Sequence, residues 1–524
     1  MNQSLPPFPQ IPKINGRVLI NGVLRNSGFE SIPVYSTCTE SGEPVEIGTT
    51  PHVSAEVLAE AVQAASRAWG QGLGAWATAR MEERINAVIA FRNGMQENRE
   101  LICRLLMWEI GKNWNDSQAE FDRTIQYIDD TVNEVKTMDR EASRFQFSGG
   151  VLAQIRRTPL GVTLCMGPFN YPLNETFTTL IPALIMGNTA VVKVARYGQL
   201  LWEPLLSVFR DAFPAGVVNV INGLGREIVN PVVKEGKIDV LAFIGTSKVA
   251  NQIKVAHPQP FRFRSILSLE AKNPAIVMED ADLDNAISEC VRGALSFNGQ
   301  RCTALKMIFV HKNISREFTK RLVQKVDGLA AGLPWEKNVS ITPLPDPKKA
   351  DYLRELIQDA VAKGAELANP EKGGKTQGGI FFPAILAQVP LTARVAIEEQ
   401  FGPVIPLAEF ESFQEIEDYI VNSPYGNQAS VFGQDAKKMG KMIDRLSNQV
   451  CRININSQCQ RGPDVFPFTG RKNSAEGTLS VYDALRSFSI RCMVAAKQDP
   501  ESRQIIQDIL HQDSSRFLSI NVML

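Results

Sequence analysis

The fold is decided by a stretch that reads GVTLCMGP (161–168), TTLIPALIMG (178–187), TAVVKVA (189–195), LLWEPLLSVFRDAF (200–213) and GVVNVING (216–223). Short β-rich runs alternate there with helical stretches. This alternation is typical of βαβ units, in which parallel strands are joined by crossover helices. We therefore predict an α/β fold that is built on a parallel sheet.

The alternation continues towards the C-terminus. The runs VLAFIG (240–245) and SILSLE (265–270) predict two more strands with a helix between them. A second α/β stretch spans about 279–470 and includes the strand KMIFVH (306–311) and a long helix over 348–364.

The flanking regions have a different texture. Apolar residues recur at helical spacing over 54–68, 81–111 and 117–138. Residues 476–496 predict a late strand-forming extension, and the polar residues from about 498 predict a helical surface appendage.

Composition excludes several classes of protein. The chain has 524 residues, too many for one hydrophobic core, and its 56 basic and 56 acidic side chains balance. This balance argues against a nucleic-acid partner, and the sequence shows neither a secretory signal nor a run of roughly 20 apolar residues that would span a membrane. Eight scattered cysteines and four histidines make a metal site unexpected and favour reduced thiols in a cytoplasmic protein.

One cysteine stands out by its context. Cys302 follows a helix-like stretch and the run FNGQR (297–301), which places it well to be an exposed thiolate. We expect Arg301 and a cationic nicotinamide to lower its pKa. Taken alone, any cysteine is more simply interpreted as a buried structural residue.

Four motifs carry a resemblance. The runs FNGQRCTA (297–304), PFNYP (168–172), EEQFGPV (398–404) and VFPFTG (465–470) resemble the aldehyde dehydrogenase superfamily. The similarity covers roughly 20–497, in the family's order and spacing. It implies an aldehyde dehydrogenase-like α/β fold with a Rossmann-like cofactor domain, an α/β catalytic domain and a β oligomerisation arm.

The resemblance also implies domain boundaries and an assembly. They are a discontinuous cofactor-binding domain (1–138 and 159–278), a catalytic domain (279–475), an oligomerisation arm (139–158 and 476–497) and a C-terminal tail (498–524). Because such arms pair across a dimer, a homodimer or homotetramer is expected.

The family pattern assigns catalytic and cofactor roles. Cys302 matches the nucleophile, and Asn170 matches the asparagine whose amide, with the Cys302 backbone N–H, stabilises the oxyanion. The matches to cofactor-binding positions are Lys193 (adenosine ribose), Gly225 (adenine), Gly245 and Thr246 (pyrophosphate), Glu399 (nicotinamide ribose) and Phe401 (nicotinamide ring).

Arg196 bears on the choice of cofactor. Family members that prefer NAD usually carry a glutamate at this position, which holds the ribose 2′-hydroxyl. An arginine would instead pair with a 2′-phosphate, so NADP is expected.

Four further residues suggest the substrate. Arg123, Tyr171, Arg301 and Arg461 match positions that bind the substrate phosphate in the non-phosphorylating glyceraldehyde-3-phosphate dehydrogenase branch. Converging guanidinium groups are typical of a phosphate site rather than of an apolar aldehyde funnel. The expected function is NADP-dependent oxidation of glyceraldehyde 3-phosphate, or a similar short phosphorylated aldehyde, to its acid.

The sequence departs from the family where a glutamate normally activates water. Ser268 occupies that position, and Glu270 stands where a glycine is usual, with Lys272 in register 30 residues before Cys302. Residues two apart on a strand share a face, so Glu270 is the candidate for a relocated base. The alternatives are a generalist or acyl-transferring enzyme that uses coenzyme A, and a weakly active paralogue.

Overall fold

The computed structural model describes residues 10–520. Its N-terminal part consists of strands β1 (Ile14–Asn15), β2 (Val18–Ile20), β3 (Val23–Arg25), β4 (Ser31–Ser36) and β5 (Val45–Pro51) and helices α1 (Ala55–Trp69), α2 (Met81–Glu97), α3 (Arg99–Ile110) and α4 (Trp114–Ala142). The stretch predicted to be helical over 81–111 is divided at Asn98, whose backbone angles (φ −95°, ψ 9°) leave the helical range.

The stretch that decided the fold forms the expected elements. The next elements are β6 (Phe145–Ser148), β7 (Val151–Pro159), β8 (Val162–Met166), α5 (Asn174–Ile185), β9 (Thr189–Lys193), α6 (Glu203–Ala212), β10 (Val218–Ile221), α7 (Gly225–Val233), β11 (Val240–Ile244), α8 (Ser247–Ala256) and β12 (Arg264–Ser268). Strands β8, β9, β10 and β11 are buried along their whole length, as expected for a parallel sheet covered on both faces.

The second half repeats the α/β alternation. Its elements are β13 (Asn273–Val277), α9 (Leu283–Leu295), β14 (Leu305–His311), α10 (Lys312–Asp327), α11 (Lys348–Ala362), β15 (Glu366–Leu367), β16 (Thr376–Gln377), β17 (Ile380–Phe381), β18 (Ala384–Ala387), α12 (Arg394–Ile397), β19 (Val404–Phe410), α13 (Phe413–Asn422), β20 (Tyr425–Gly426), β21 (Gln428–Phe432), α14 (Ala436–Leu446) and β22 (Arg452–Ile455).

The C-terminal part corrects one expectation. It consists of β23 (Arg471–Lys472), β24 (Ala475–Glu476), α15 (Val481–Ser487), β25 (Ser489–Lys497) and α16 (Pro500–His511). The prediction of a strand-forming extension over 476–496 is wrong for its first half, which forms helix α15. The physical reason is an N-cap, because the Ser480 hydroxyl accepts a hydrogen bond from the Asp483 backbone N–H at 3.1 Å.

Two large sheets organise the described residues. One has the order β24-β12-β11-β8-β9-β10-β2-β3 and the other β15-β18-β19-β14-β13-β21-β22. Strands β8 to β12 pair in parallel, and so do β13, β14, β18, β19, β21 and β22. The α/β fold class is confirmed. Ligands of such sheets bind beyond the carboxyl ends of the parallel strands, where the loops after β8, β9, β11 and β12 converge.

A smaller, three-stranded sheet has the order β25-β7-β6 and is separate from these two large sheets. Strands β7 and β25 pair antiparallel along nine residues each. The domain boundaries stay predictions, and residues 1–9 and 521–524 of the predicted cofactor domain and tail lie outside the described residues. None of the helices within 10–520 has the length and apolar character needed to cross a membrane.

Candidate active site

Cys302 lies in a tight loop between helix α9 and strand β14. The chain leaves α9 with positive φ at Phe297 (50°) and Asn298 (55°), a conformation that non-glycine residues adopt only where the surroundings enforce it. The Cys302 carbonyl accepts hydrogen bonds from Asn273 Nδ2 at 2.8 Å and from Lys306 Nζ at 3.1 Å. The loop is thus held in place from both β13 and β14.

The environment of the Cys302 thiol favours its protonated form. Desolvation raises the pKa of the thiol to about 11, and the Glu175 carboxylate raises it as well, while the Lys306 and Arg461 cations lower it. The expectation of a lowered pKa is therefore wrong for the protein without ligands. Arg301 does not act as the activating cation, because its Nη2 is directed towards Thr303 Oγ1 (3.2 Å) and the Cys459 carbonyl (3.3 Å).

Asn170 is fixed against the cysteine loop. It lies in the turn between β8 and α5, is buried, and donates from Nδ2 to the Gln300 carbonyl at 2.7 Å. The backbone carbonyl of Asn170 accepts a hydrogen bond from the buried Lys112 ammonium at 2.8 Å. The amide therefore has a fixed direction beside Cys302, with its second N–H still available.

Strand β12 ends at Ser268, two residues before Glu270. The alternation argument for Glu270 extends past the end of this strand, where Leu269 N donates to the Ser474 carbonyl at 2.8 Å and Ser474 Oγ donates to the Glu270 carbonyl at 2.8 Å. The Glu270 carboxylate accepts a hydrogen bond from the Ser247 backbone N–H at 2.7 Å, at the start of helix α8. A carboxylate at a helix N-terminus is stabilised by the helix dipole. Its role as a base stays a prediction.

A cleft of about 630 Å³ opens at the carboxyl ends of the parallel strands, and its wall includes both Asn170 and Glu270. The predicted cofactor residues that line it are Arg196, Gly245, Thr246, Glu399 and Phe401. Its volume is that of a small-molecule site.

The turn into helix α8 is built for a close approach. A Cβ at Gly245 would lie 2.4 Å from the Phe243 ring, so only glycine fits there. Thr246 caps the helix, and its Oγ1 accepts a hydrogen bond from the Val249 backbone N–H at 3.3 Å. The first-turn N–H groups of a helix favour anions, yet the Glu270 carboxylate already occupies the Ser247 N–H.

Glu399 and Phe401 are held at the opposite wall of the cleft. The Glu399 carboxylate accepts from the Ala271 backbone N–H at 3.1 Å and forms an ion pair with Lys306. The Phe401 ring lies 6.0 Å from the Phe169 ring in an edge-on arrangement.

Lys193 and Gly225 lie together next to this cleft but do not line it. A Cβ at Gly225 would be 3.5 Å from Lys193 Nζ. Burial alone lowers the pKa of Lys193 to about 8, and no carboxylate among the described residues offsets it. A buried ammonium without an acidic partner fits a polyhydroxylated, anionic dinucleotide. Within 10–520, no three His, Cys, Asp or Glu side chains come close enough together to hold a metal ion.

The predicted phosphate-binding arginines meet two carboxylates. Arg123 donates from Nε and Nη2 to Asp464 at 2.7 Å each, and the buried Arg461 donates from Nε to the same aspartate at 3.1 Å. Arg461 also forms a buried ion pair with Glu175. These contacts place Arg123 and Arg461 side by side and neutralise much of their charge.

Arg301 and Tyr171 complete the cluster. Arg301 meets a hydroxyl and a backbone carbonyl rather than a carboxylate. Burial raises the pKa of the Tyr171 hydroxyl; the Arg301 and Arg123 cations act to lower it, and Asp116 and Glu120 to raise it. The Lys112 ammonium lies 3.5 Å from the centre of the Tyr171 ring.

Sequence reasoning missed Glu175, Lys306 and Asp464. Asp464 has a local signal, because it follows Arg461 by three residues, within reach of an ion pair. Glu175 and Lys306 meet their partners only through the fold, so nothing in the neighbouring sequence indicates the pairs.

The fold and this arrangement define a class of protein: an α/β protein with a cysteine loop beside a dinucleotide-sized cleft at the strand ends. The sequence profile of the "Aldehyde dehydrogenase family" matches residues 25–493. The chain belongs to the aldehyde dehydrogenase family, whose members are oxidoreductases that act on aldehydes.

Two relatives show which kinds of aldehyde dehydrogenase the chain is similar to. An "NADP-dependent glyceraldehyde-3-phosphate dehydrogenase" of Streptococcus equinus is 34% identical over 89% of this chain and 95% of its own length. A "Sulfoacetaldehyde dehydrogenase" of Neptuniibacter caesariensis is 30% identical over 75% of this chain and 86% of its own length.

A solved structure is similar over nearly the whole chain. The NADP-dependent glyceraldehyde-3-phosphate dehydrogenase of Bacillus halodurans, complexed with NADP, superposes with a TM-score of 0.84 at 32% identity. The superposition covers 93% of this chain and 100% of that one.

Proposed function

We propose that this protein oxidises glyceraldehyde 3-phosphate, or a similar short phosphorylated aldehyde, to the carboxylic acid with NADP⁺ through a thioester on Cys302. The observation that carries the proposal is the position of the cysteine loop. The loop contains Arg301 and accepts a hydrogen bond from Asn170 at the Gln300 carbonyl, and the Arg461 cation acts on the Cys302 thiol. Arg123 joins Arg461 through their shared Asp464. The Streptococcus equinus relative supports the same reaction.

Acylation starts with the thiol. The Cys302 thiol gives its proton to solvent, its sulfur adds to the aldehyde carbon, and the carbonyl π electrons move to the oxygen. Asn170 Nδ2 retains one N–H beyond its bond to Gln300, and with the Cys302 backbone N–H it stabilises the oxyanion. Lys306 and Arg461 favour the thiolate against the desolvation that opposes it.

The cofactor is held by the cleft and by Lys193. When bound there, the dinucleotide supplies the acceptor for the hydride that the tetrahedral carbon loses. Arg196 is exposed at the cleft and has no carboxylate partner among the described residues, so its guanidinium is available for a ribose 2′-phosphate. The Bacillus halodurans neighbour with bound NADP supports this choice.

The substrate phosphate binds best where positive charge exceeds negative. Arg123 and Arg461 share Asp464, and Arg461 also meets Glu175, whereas Arg301 keeps its full charge. Three guanidinium groups against two carboxylates leave a positive site. Tyr171 adds a phenol that is influenced by the charges of both Arg123 and Arg301.

The acid is released when water attacks the thioester carbonyl and the Cys302 sulfur leaves. We propose Glu270 as the base that takes the proton from water. One oxygen of its carboxylate accepts a hydrogen bond from the Ser247 N–H at 2.7 Å, which leaves the second oxygen to take the proton. That contact also favours a second candidate: an acyl-transferring dehydrogenase whose thioester waits for an acceptor such as coenzyme A.

The test of substrate class compares glyceraldehyde 3-phosphate with unphosphorylated glyceraldehyde, with NADP⁺ and without inorganic phosphate or coenzyme A. We expect a kcat/KM at least about tenfold higher for the phosphorylated aldehyde, since charge-assisted contacts to phosphate are worth about 1.5–3 kcal/mol each. Equal values for the two aldehydes would reject the phosphate site.

We also propose that β6, β7 and β25 form an arm that pairs with a second copy of the chain, giving a homodimer or homotetramer. Apolar side chains on this sheet are exposed: Phe147 (62%), Val151 (38%), Ile490 (46%) and Met493 (59%). Val151 and Met493 lie on one face of the sheet and Phe147 and Ile490 on the other, so both faces carry exposed apolar side chains that a partner can cover. Light scattering should give a dimer or tetramer, and Met493→Asp should lower the assembled mass.

A further inference from the structure

A second cleft, of about 580 Å³, lies on another part of the molecule. It is formed by the start of α2, the end of α4, the end of β7 and the tail around Ser515–Ser519. None of the residues that line it belongs to the candidate active site or to the 630 Å³ cofactor cleft. We call it the tail cleft.

Arg84 lies in the wall of the tail cleft in an unusual state. Its side chain is buried, with 6% exposure, yet its Nε and Nη1 have no hydrogen-bond partner within the part of the chain that is described. Its Nη2 contacts only the sulfur of Met81, at 3.8 Å. Buried polar groups are almost always hydrogen-bonded, and a buried guanidinium without a partner is rarer still.

The guanidinium of Arg84 has little room to relocate. It packs so closely on Gly187 that a Cβ there would lie 2.2 Å from Arg84 Nη1. Desolvation lowers the pKa of Arg84 to about 10, and the partial compensation comes from Asp139 and Glu83, neither of which forms an ion pair with it. The side chain is therefore held as a cation that lacks a counter-ion.

Other cations surround it. Five arginines line the tail cleft, against two acidic residues, Glu82 and Asp139: Arg80, Arg84, Arg156, Arg157 and Arg516. Asp139 is already paired with Arg156 at 2.6 Å, and Arg80 is paired with Asp513 at 2.5 Å.

Two of these arginines meet only neutral oxygens. Arg157 donates to the Arg486 carbonyl (3.2 Å) and to the Ser489 hydroxyl (3.0 Å), and Arg516 donates to the Thr78 carbonyl (3.0 Å). With Arg84, three guanidinium groups in one cleft thus lack a carboxylate partner.

We propose that the tail cleft is a binding site for a small phosphate-bearing anion, separate from the catalytic centre. Guanidinium groups bind phosphate through paired, charge-assisted hydrogen bonds, and the exposed Arg516 can supply such donors. The buried, unpartnered Nε and Nη1 of Arg84 leave a positive charge in the cleft wall that an anion would compensate. The volume suits a phosphate ester of small-molecule size. The proposal is independent of the reaction proposed above.

An anion bound here would connect three parts of the chain. It would contact α2 through Arg84, β7 through Arg157 and the tail through Arg516. The tail already docks on β7, because the Ser519 carbonyl accepts hydrogen bonds from Gln154 (2.8 Å) and Arg156 (2.7 Å). Binding should therefore stabilise the fold as a whole.

The test uses inorganic pyrophosphate as the probe, with the full-length protein at saturating NADP⁺ and constant ionic strength. Thermal unfolding and calorimetric titration are measured for the wild type and for Arg84→Met, each also in an Arg301→Gln background that weakens the candidate substrate-phosphate site. In that background we expect pyrophosphate to raise the Tm of the protein that keeps Arg84 but not that of Arg84→Met.

Without pyrophosphate, Arg84→Met should unfold at the same temperature as the wild type or higher, because it removes a buried cation that has no partner. The exposed Arg516→Gln should fold normally and weaken pyrophosphate binding about tenfold. The proposal is overturned by an unresponsive wild type, by a response that Arg84→Met retains, or by an Arg84→Met protein that is markedly less stable without the anion.

Discussion

The loop of Cys302 and the end of strand β12 carry the candidate residues for two steps of the same reaction. They differ in the hydrogen bonds that hold those residues. The cysteine loop keeps the family pattern, and its hydrogen bonds from Asn273 and Lys306 hold it in place. The end of β12 departs from the pattern, with Ser268 buried and Glu270 engaged at the start of α8. The candidate residues for forming a thioester are linked by hydrogen bonds, whereas the candidate base for hydrolysing it is engaged by a backbone N–H.

This difference separates two half-reactions. Acylation needs a nucleophile and oxyanion donors, which Cys302 and Asn170 provide within one fixed cluster. Hydrolysis needs a base near the thioester, and one oxygen of the Glu270 carboxylate is engaged by the Ser247 N–H. Variants on the two sides should therefore change different phases of the kinetics.

The largest effect is expected from Cys302→Ala. Without the sulfur no thioester forms, and turnover should fall by about 10⁴-fold or more. NADP⁺ binding, followed by fluorescence titration, should remain, because Cys302 is not among the residues that line the cofactor cleft. Dehydrogenase activity that survives in this variant would contradict the mechanism on both sides of the comparison.

Glu270→Gln tests the hydrolysis half of the reaction. We expect the first turnover to remain and the steady-state rate to fall about 10²-fold, as for loss of a general base. Stopped-flow detection of NADPH separates the phases. Glu398→Gln, from the same cleft, is the matched control and should keep its steady-state rate. If Glu270→Gln also keeps it, Glu270 is not the base.

The pH dependence of Cys302 alkylation tests the acylation half of the reaction. Because burial raises the pKa of the thiol to about 11, the thiolate fraction should rise about tenfold per pH unit, or about 10² between pH 7 and 9. Mass spectrometry of iodoacetamide-treated protein measures this, with the exposed Cys492 as an internal reference. A plateau already at pH 7 would mean that the thiol is activated without ligands.

Arg301→Gln sharpens the comparison at the substrate. The KM for the phosphorylated aldehyde should rise about tenfold while that for unphosphorylated glyceraldehyde stays the same, since one charged contact is lost. Arg321→Gln removes a surface arginine and serves as the control. Equal changes for both aldehydes would assign Arg301 to the loop structure instead.

The smallest effect is expected from Arg196→Glu. The carboxylate would repel a 2′-phosphate and accept from a 2′-hydroxyl, so the ratio of kcat/KM for NADP⁺ to that for NAD⁺ should fall several-fold to tenfold. Arg210→Glu, on an exposed arginine, is the control. An unchanged ratio would remove Arg196 from cofactor selection.

Much of the fold was readable from the sequence because the strands that matter are buried on both faces. The run TAVVKVA forms β9 with every residue buried, and VLAFIG forms β11 in the same way. The error at α15 has a local cause. The run SVYDALRS contains β-branched and aromatic residues, and the capping bond of Ser480 outweighed them.

The sequence motifs indicated which residues belong to the candidate site, but not the electrostatic environment of those residues. The motifs placed Cys302 and Asn170 together, but the pKa of Cys302 depends on burial and on Glu175, which the fold brings in from helix α5. The environment of Glu270 depends on Ser474, about two hundred residues away, whose hydroxyl donates to the Glu270 backbone carbonyl. Such long-range contacts leave no local pattern.

The most direct test is to mix the protein with NADP⁺ and glyceraldehyde 3-phosphate, without inorganic phosphate or coenzyme A, and to follow NADPH from the first turnover onwards. We predict a burst of about one equivalent per Cys302 followed by slower, sustained formation of the acid. A burst that stops at one equivalent would contradict hydrolysis and favour an acyl acceptor. The absence of any NADPH would contradict the central claim that this chain oxidises a phosphorylated aldehyde through Cys302.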